Sequence, residues 1–258
     1  MNDSEQLDFI SAERRRIQVE YQRREREVNS DLYADWQPAS QFMIEGRNRA
    51  AARMLREADA FPDRASSCLE VGFGSHGWLS ELKSWAVPET GLHGIELDAT
   101  RAAKAQAQFP DADLRVGDAV ELPWPSESFD LVIASTLFTS ILDRKVRALI
   151  ANEIERVLAP GGALLWYDFA FDNPRNANVR GIKRNELKNL FPRLKGVIES
   201  VTLAPPLSRL VVPRSRPFAA LLEKIPLLRT HLLAVLVKDD AARWLSVRGA
   251  DVRVKPGA

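Results

Sequence analysis

Leu69-Glu70-Val71-Gly72-Phe73-Gly74-Ser75-His76-Gly77-Trp78-Leu79 reads as a short apolar strand running directly into a glycine-rich turn. Glycine has no Cβ and reaches positive φ freely, so backbone N–H groups in such a turn can approach a ligand closely. A helix starting near Trp78 would bring its unpaired donors and positive end to the same spot. This is how a nucleotide-like cofactor is held at the end of the first strand of a doubly wound sheet. An ordinary strand–turn–helix corner would carry the same glycines, so the following strands have to decide.

They repeat the pattern. Gly91-Leu92-His93-Gly94-Ile95-Glu96-Leu97 is a second strand ending in an acid, at the spacing expected of a ribose-binding carboxylate. Residues 112–116 form a third strand, ending at Gly117-Asp118-Ala119. Residues 129–135 form a fourth, and Val157-Leu158-Ala159-Pro160-Gly161-Gly162 closes a helix before a fifth strand at 163–168. Helices are expected at 78–85, 100–109 and 141–158, which with the strands makes a parallel sheet covered on both faces. Beyond strand five, 184–191 reads as helix and 195–203 as strand. Ala204-Pro205-Pro206 then interrupts, 216–224 is an inserted helix, and 231–237 is a last strand.

These motifs, taken in order, resemble the class I S-adenosylmethionine-dependent methyltransferases. The matching residues are Glu70-Val71-Gly72-Phe73-Gly74, Glu96, Gly117-Asp118-Ala119, Leu122-Pro123-Trp124-Pro125 before Phe129-Asp130-Leu131-Val132, and Arg156 through Gly162. They cover about residues 66 to 170. The resemblance implies a Rossmann-like α/β fold, a doubly wound and mostly parallel sheet closed by a C-terminal antiparallel hairpin. It also implies S-adenosylmethionine as cofactor. Gly72 and Gly74 then approach its methionine part, Glu96 takes the ribose and Asp118 the adenine amino group, with Glu70, Ala119 and Ser135 nearby. The family's third glycine falls where His76 stands, with Gly77 one place later, which makes His76 a further cofactor candidate.

Gly72-Phe73-Gly74-Ser75-His76-Gly77 also spells the dinucleotide fingerprint, so an NAD(P)-linked oxidoreductase is the alternative, with Glu96 on the adenosine ribose. Against it, none of Tyr21, Tyr33 and Tyr167 is followed four residues later by lysine, as the common reductase pair requires. A non-catalytic cofactor-binding protein is a third reading.

The acceptor should meet the loops after strands four and five. Thr136 belongs to the first, where the hydroxyls serve equally well as helix caps. The second, residues 168–180, gathers Asp168, Asp172, Arg175, Asn176 and Arg180. The arginines suit a carboxylate or phosphate, and Asp168 or Asp172 suits proton removal from a hydroxyl. His93 and His231 read as structural, and no metal-ligand spacing occurs. Residues 167–176 with 202–207 are similar to bacterial methyltransferases of polysaccharide assembly. The expected acceptor is therefore a small molecule or glycan, most readily through a hydroxyl.

The chain has 258 residues and a formal net charge of +1, which gives no global reason to expect a nucleic-acid partner. The single cysteine, Cys68, excludes an intramolecular disulfide. No apolar run reaches membrane-spanning length and the polar start is unlike a signal peptide, so the cytoplasm is expected. Residues 1–62 are expected to be a helical cap, 63–238 the core with a helical insertion near 205–229, and 239–258 a tail. The charged stretch 5–28, with Ile17, Tyr21 and Val28 on one face, reads first as a solvated helix and second as a lid. The apolar residues of the insertion leave peripheral membrane contact or a homodimer open.

Overall fold

The computed structural model describes residues 3–27, 34, 36–75, 77–173 and 176–239. Two helices, α1 (Asp3–Glu27) and α2 (Pro38–Glu57), precede a sheet built from β1 (Cys68–Val71), β2 (Leu92–Glu96), β3 (Asp113–Val116), β4 (Phe129–Ser135), β5 (Leu158–Phe169), β6 (Leu194–Leu203) and β7 (Arg229–Lys238). Between them lie α3 (Leu79–Ser84), α4 (Ala99–Gln108), α5 (Arg144–Val157), α6 (Arg184–Leu190), α7 (Pro205–Val211) and α8 (Arg216–Glu223). The strand order is β3-β2-β1-β4-β5-β7-β6. Strands β1 to β5 pair in parallel, and β7 runs antiparallel to both β5 and β6. The expected doubly wound sheet with a closing antiparallel hairpin is therefore present.

Alternate residues of a strand face opposite sides, and both sides of this sheet are buried. Leu69, Val132 and Trp166 enter the core on one face with the α5 stripe Val146, Ile150 and Ile154. Cys68, Leu131 and Tyr167 enter the core on the other with Met54 and Leu55 of α2 and Trp78. Burial pushes the Cys68 thiol up to about 12, so it is an inert core residue.

Three boundaries differ from the sequence expectation. Helix α5 begins at Arg144 because the Asp143 carboxylate caps it, accepting the N–H groups of Lys145 and Val146 at 2.6 and 3.2 Å. Strand β5 begins at Leu158 and runs through Pro160-Gly161-Gly162, which a register shift opposite Phe129 and Leu131 accommodates. Pro205 and Pro206 start α7 instead of breaking the chain, since proline in a first helical turn gives up no internal hydrogen bond.

The sheet order reverses between β1 and β4, so a crevice opens at the carboxyl ends of these strands. Gly94 of β2 seats the glycine turn there, because a Cβ at this position would stand 2.7 Å from the Phe73 ring. Gly94→Ala should therefore cost ~1–3 kcal/mol through overpacking. A urea titration checks this, with a lowered midpoint at unchanged slope expected.

Candidate active site

The turn after β1 is shaped by two glycines and one carboxylate. Gly72 and Gly74 have φ of +71° and +57°, and a Cβ at Gly74 would meet nothing within 4 Å, so the turn is open on that side. Beneath it Glu70, 1% exposed, accepts the Trp78 N–H at 2.7 Å. A Cβ at Gly77 would lie 2.6 Å from this carboxylate, so Gly77 is required for the chain to cross Glu70. Burial pushes the Glu70 carboxyl up to about 8, only partly offset by the Trp78 N–H and the Arg47 guanidinium. Glu70 thus sits under the turn and braces it, instead of facing the crevice.

Glu96 closes the next position. Its Oε2 accepts the Gly74 N–H at 2.9 Å and its Oε1 the Asp98 N–H at 3.0 Å. A carboxylate offers about four acceptor positions, so these two contacts fix the orientation of the nearly buried Glu96 and leave acceptor capacity unused. Asp118, after β3, accepts the Val120 N–H at 3.1 Å and the Arg14 Nε–H at 2.9 Å.

A cleft of about 570 Å³, counting its open mouth, is lined by Gly72, Glu96, Asp118, Ala119 and Leu137. Its outer wall is α1, through Ile10, Arg14, Ile17 and Tyr21. Spacings of four, three and four put these four residues on one helical face, and the sequence signal at Ile17 and Tyr21 was its visible part. The solvated-helix expectation is corrected accordingly. Glu13 and Glu20 are buried; Glu13 accepts the Leu142 N–H at 2.5 Å, Glu20 accepts from Asn178 at 2.8 Å, and Arg16 donates to the Ser140 carbonyl. Burial alone would raise the Glu13 pKa, but Arg16 and the Leu142 N–H outweigh it and hold it below the usual range.

The loops after β4 and β5 are locked together. Asp168 is wholly buried and accepts both the N–H and the hydroxyl of Thr139, at 3.0 and 2.5 Å. Burial pushes it up to about 6 against those two bonds. Its place is that of a clamp between loops; with no exposure, it does not present a base to an acceptor. Ser135 is half-buried, and Thr136 is exposed with φ +53°, held by its N–H to the Tyr167 carbonyl at 2.7 Å. Asp172 is exposed and accepts the Gly181 N–H at 2.8 Å, Asn176 accepts the Asn178 N–H at 3.0 Å, and the Arg180 N–H reaches the Thr139 carbonyl at 2.9 Å. His76 and Arg175 lie outside the described residues. Behind these loops the Arg47 guanidinium covers the Trp78 ring at 4.1 Å, and His231 stacks on Tyr167 at 4.8 Å. Burial, with Arg47 adding to it, lowers His231 to about 3, so the imidazole is neutral. Among the described residues, no cluster of three or more His, Cys, Asp or Glu could hold a metal ion.

The chain is similar to known proteins in sequence and in fold. Residues 69–166 match the family model described as a methyltransferase domain. The chain is 28% identical over 172 residues to norajmaline N-methyltransferase of Rauvolfia serpentina, spanning 62% of this chain and 58% of that protein. It is 30% identical over 158 residues to demethylmenaquinone methyltransferase of Deinococcus radiodurans, spanning 59% of this chain and 61% of that one. The chain thus spans less than two thirds of the length of these relatives. A SAM-dependent methyltransferase from Thermotoga maritima superposes with a TM-score of 0.59 over 84% of this chain and 98% of that one, at 19% identity, which is a likeness of fold.

The buried carboxyl carries a pH signature. Between the ordinary value of 4.5 and the folded value of about 8 the unfolded chain loses this proton first, so Glu70 withdraws stability as pH rises through that window. Glu70→Gln keeps an acceptor for the Trp78 N–H and cannot ionise. Its stability relative to the parent should therefore grow by ~1–3 kcal/mol from pH 5 to pH 9. Urea midpoints at both pH values check this; a constant difference would mean the carboxyl is not shifted.

Proposed function

We propose that the protein is an S-adenosylmethionine-dependent methyltransferase acting on a small-molecule or glycan acceptor, through a hydroxyl. The observation that carries the reading is the convergence of an open positive-φ glycine turn, Glu96 and Asp118 on one cleft, within a segment matched by a methyltransferase-domain model. The residues fit the cofactor. Gly74 leaves space for its methionine portion, Gly72 lets the backbone pass Leu137, which a Cβ there would meet at 2.9 Å, Glu96 has acceptor capacity for both ribose hydroxyls, and Asp118 suits the adenine amino group. When bound, S-adenosylmethionine supplies a methyl group on a positively charged sulfur, already activated for displacement.

The protein's share of such a reaction is alignment and exclusion of water. The Asp168–Thr139 clamp fixes the loop after β4 and with it Thr136, at the edge where an acceptor would lie. Helix α1 covers the cleft from outside. Asp172, Asn176 and Arg180 line the expected acceptor entrance, and Arg180 with Arg175 would favour an anionic group such as a phosphate. The loop's likeness to polysaccharide-assembly methyltransferases supports an activated sugar as acceptor. Residues 1–62 serve as cap and 63–238 as catalytic core, in the cytoplasm; the tail beyond Asp239 lies outside the described residues.

Calorimetric titration with S-adenosylhomocysteine, with NADH in parallel, tests the cofactor. Binding of the first alone is expected, and binding of NADH alone would establish the dinucleotide alternative. Asp118→Ala should weaken S-adenosylhomocysteine binding by ~1–3 kcal/mol; unchanged affinity in a folded variant would remove Asp118 from the site. Arg180→Ala should leave that affinity intact and lower turnover of an activated sugar. Methylation of a quinone or phenol, with every activated sugar and lipid-linked glycan inert, would overturn the glycan reading.

A further inference from the structure

The segment between β6 and β7 carries an unusual surface. Phe218 and Leu221 are three residues apart on one face of α8 and are 51% and 58% exposed, and Ile225, just past the helix end, is 43% exposed. Leu227 is 93% exposed on the turn that follows, and Leu210 of α7 is 57% exposed. The adjoining part of the α8 surface is satisfied by packing, with Ala219 buried and Leu222 packed against the cluster that contains Phe42 of α2 and Leu203 of β6. The apolar stripe of α8 is wider than its contact with the body of the protein, and the part left outside needs a second apolar surrounding.

The exposed charged side chains of the segment itself are cationic, and one of them, Arg216, is paired with the exposed Glu45 of α2. Arg214, Arg216 and Lys224 are exposed within the segment. Its acid, Glu223, turns inward, where it accepts the Leu203 N–H at 3.3 Å and sits against Gly46. Exposed apolar side chains rimmed by long cations match a bilayer interface, where the apolar groups enter the acyl boundary and the cations reach anionic headgroups.

Topology puts this face at the catalytic edge. The antiparallel β7 starts where the parallel β5 ends, with His231 opposite Phe169, and β6 ends opposite the start of β7, with Leu203 opposite Arg229. The whole insertion therefore emerges at the carboxyl edge of β1 to β5, beside the loop that carries the exposed Phe171. Helix α2 is tied to it by the Arg216–Glu45 ion pair and has the exposed Trp36 before its first turn.

We propose that α7, α8 and the turn through Leu227 form a peripheral docking surface for an anionic lipid bilayer, which turns the cleft toward acceptors held at the membrane. The surface itself does not depend on the methyltransferase reading; only its use for presenting an acceptor does.

Co-sedimentation of the full chain with vesicles tests it. Retention should be at least about fivefold greater on phosphatidylcholine vesicles with roughly 30 mol% phosphatidylglycerol than on phosphatidylcholine alone. The triple variant F218S/L221S/L227S should lose at least about fivefold of that retention. Arg214→Ala with Lys224→Ala should lose the preference for anionic vesicles, a readout that survives if the triple variant fails to fold. Wild-type protein that stays in the supernatant with both vesicles overturns the proposal. So does a dimer in sedimentation velocity that Leu227→Ser dissociates, because a second copy would then own the face. S-adenosylhomocysteine titration of the same samples tests the cofactor reading separately, so either idea can fail without the other.

Discussion

Glu70 reaches from β1 beneath the turn that follows and takes the Trp78 N–H at 2.7 Å. That contact ties the end of the strand to the start of α3, and it forces the chain to cross so close that Gly77 has no room for a side chain. A buried carboxyl is costly unless hydrogen-bonded or neutral, and here both reliefs operate, through the N–H and through a pKa of about 8. The turn above is consequently held open, with Gly74 handing its N–H to Glu96. Two strands are thereby linked through one loop, and the crevice between them has a fixed floor.

The walls of that crevice come from far apart in the chain. Arg14 of α1 meets Asp118 after β3, and Glu13 and Glu20 of the same helix are buried against the loops after β4 and β5. The Arg14–Asp118 pair is partly exposed, and such pairs contribute only ~0–1 kcal/mol. The apolar residues Ile10, Ile17 and Tyr21 therefore carry more of the packing of α1 over the cleft than this ion pair does. A ligand that engages Asp118 would share it with Arg14 or displace it at small cost.

The reversal of β7 has consequences beyond closing the sheet. A sixth parallel strand would return its connection to the far edge, whereas the antiparallel β6–β7 pair delivers the 205–228 segment to the same edge as the carboxyl ends of β1 to β5. Cleft, clamped loops and exposed apolar face then share one side of the molecule. The Asp168–Thr139 clamp is what keeps the loops between them in register.

The order of the strands, their acidic and glycine endings and the parallel core were legible in the sequence, because each depends on local periodicity and on residue types that only certain backbone geometries tolerate. Gly72, Gly74 and Glu96 stand out for the same reason, whereas the role expected of Asp118 rests on the family resemblance. What the sequence left undecided were roles that depend on burial. Asp168 and Asp172 look alike on paper, yet one is sealed under Thr139 and the other faces solvent. Helix α1 reads as a charged surface helix, and only its packing shows that Glu13 and Glu20 face inward while Ile10, Arg14, Ile17 and Tyr21 line the cleft. Side-chain environment is set by segments a hundred residues away, so no local pattern encodes it, and the tertiary structure alone decides which polar groups are supports and which are free to meet a ligand.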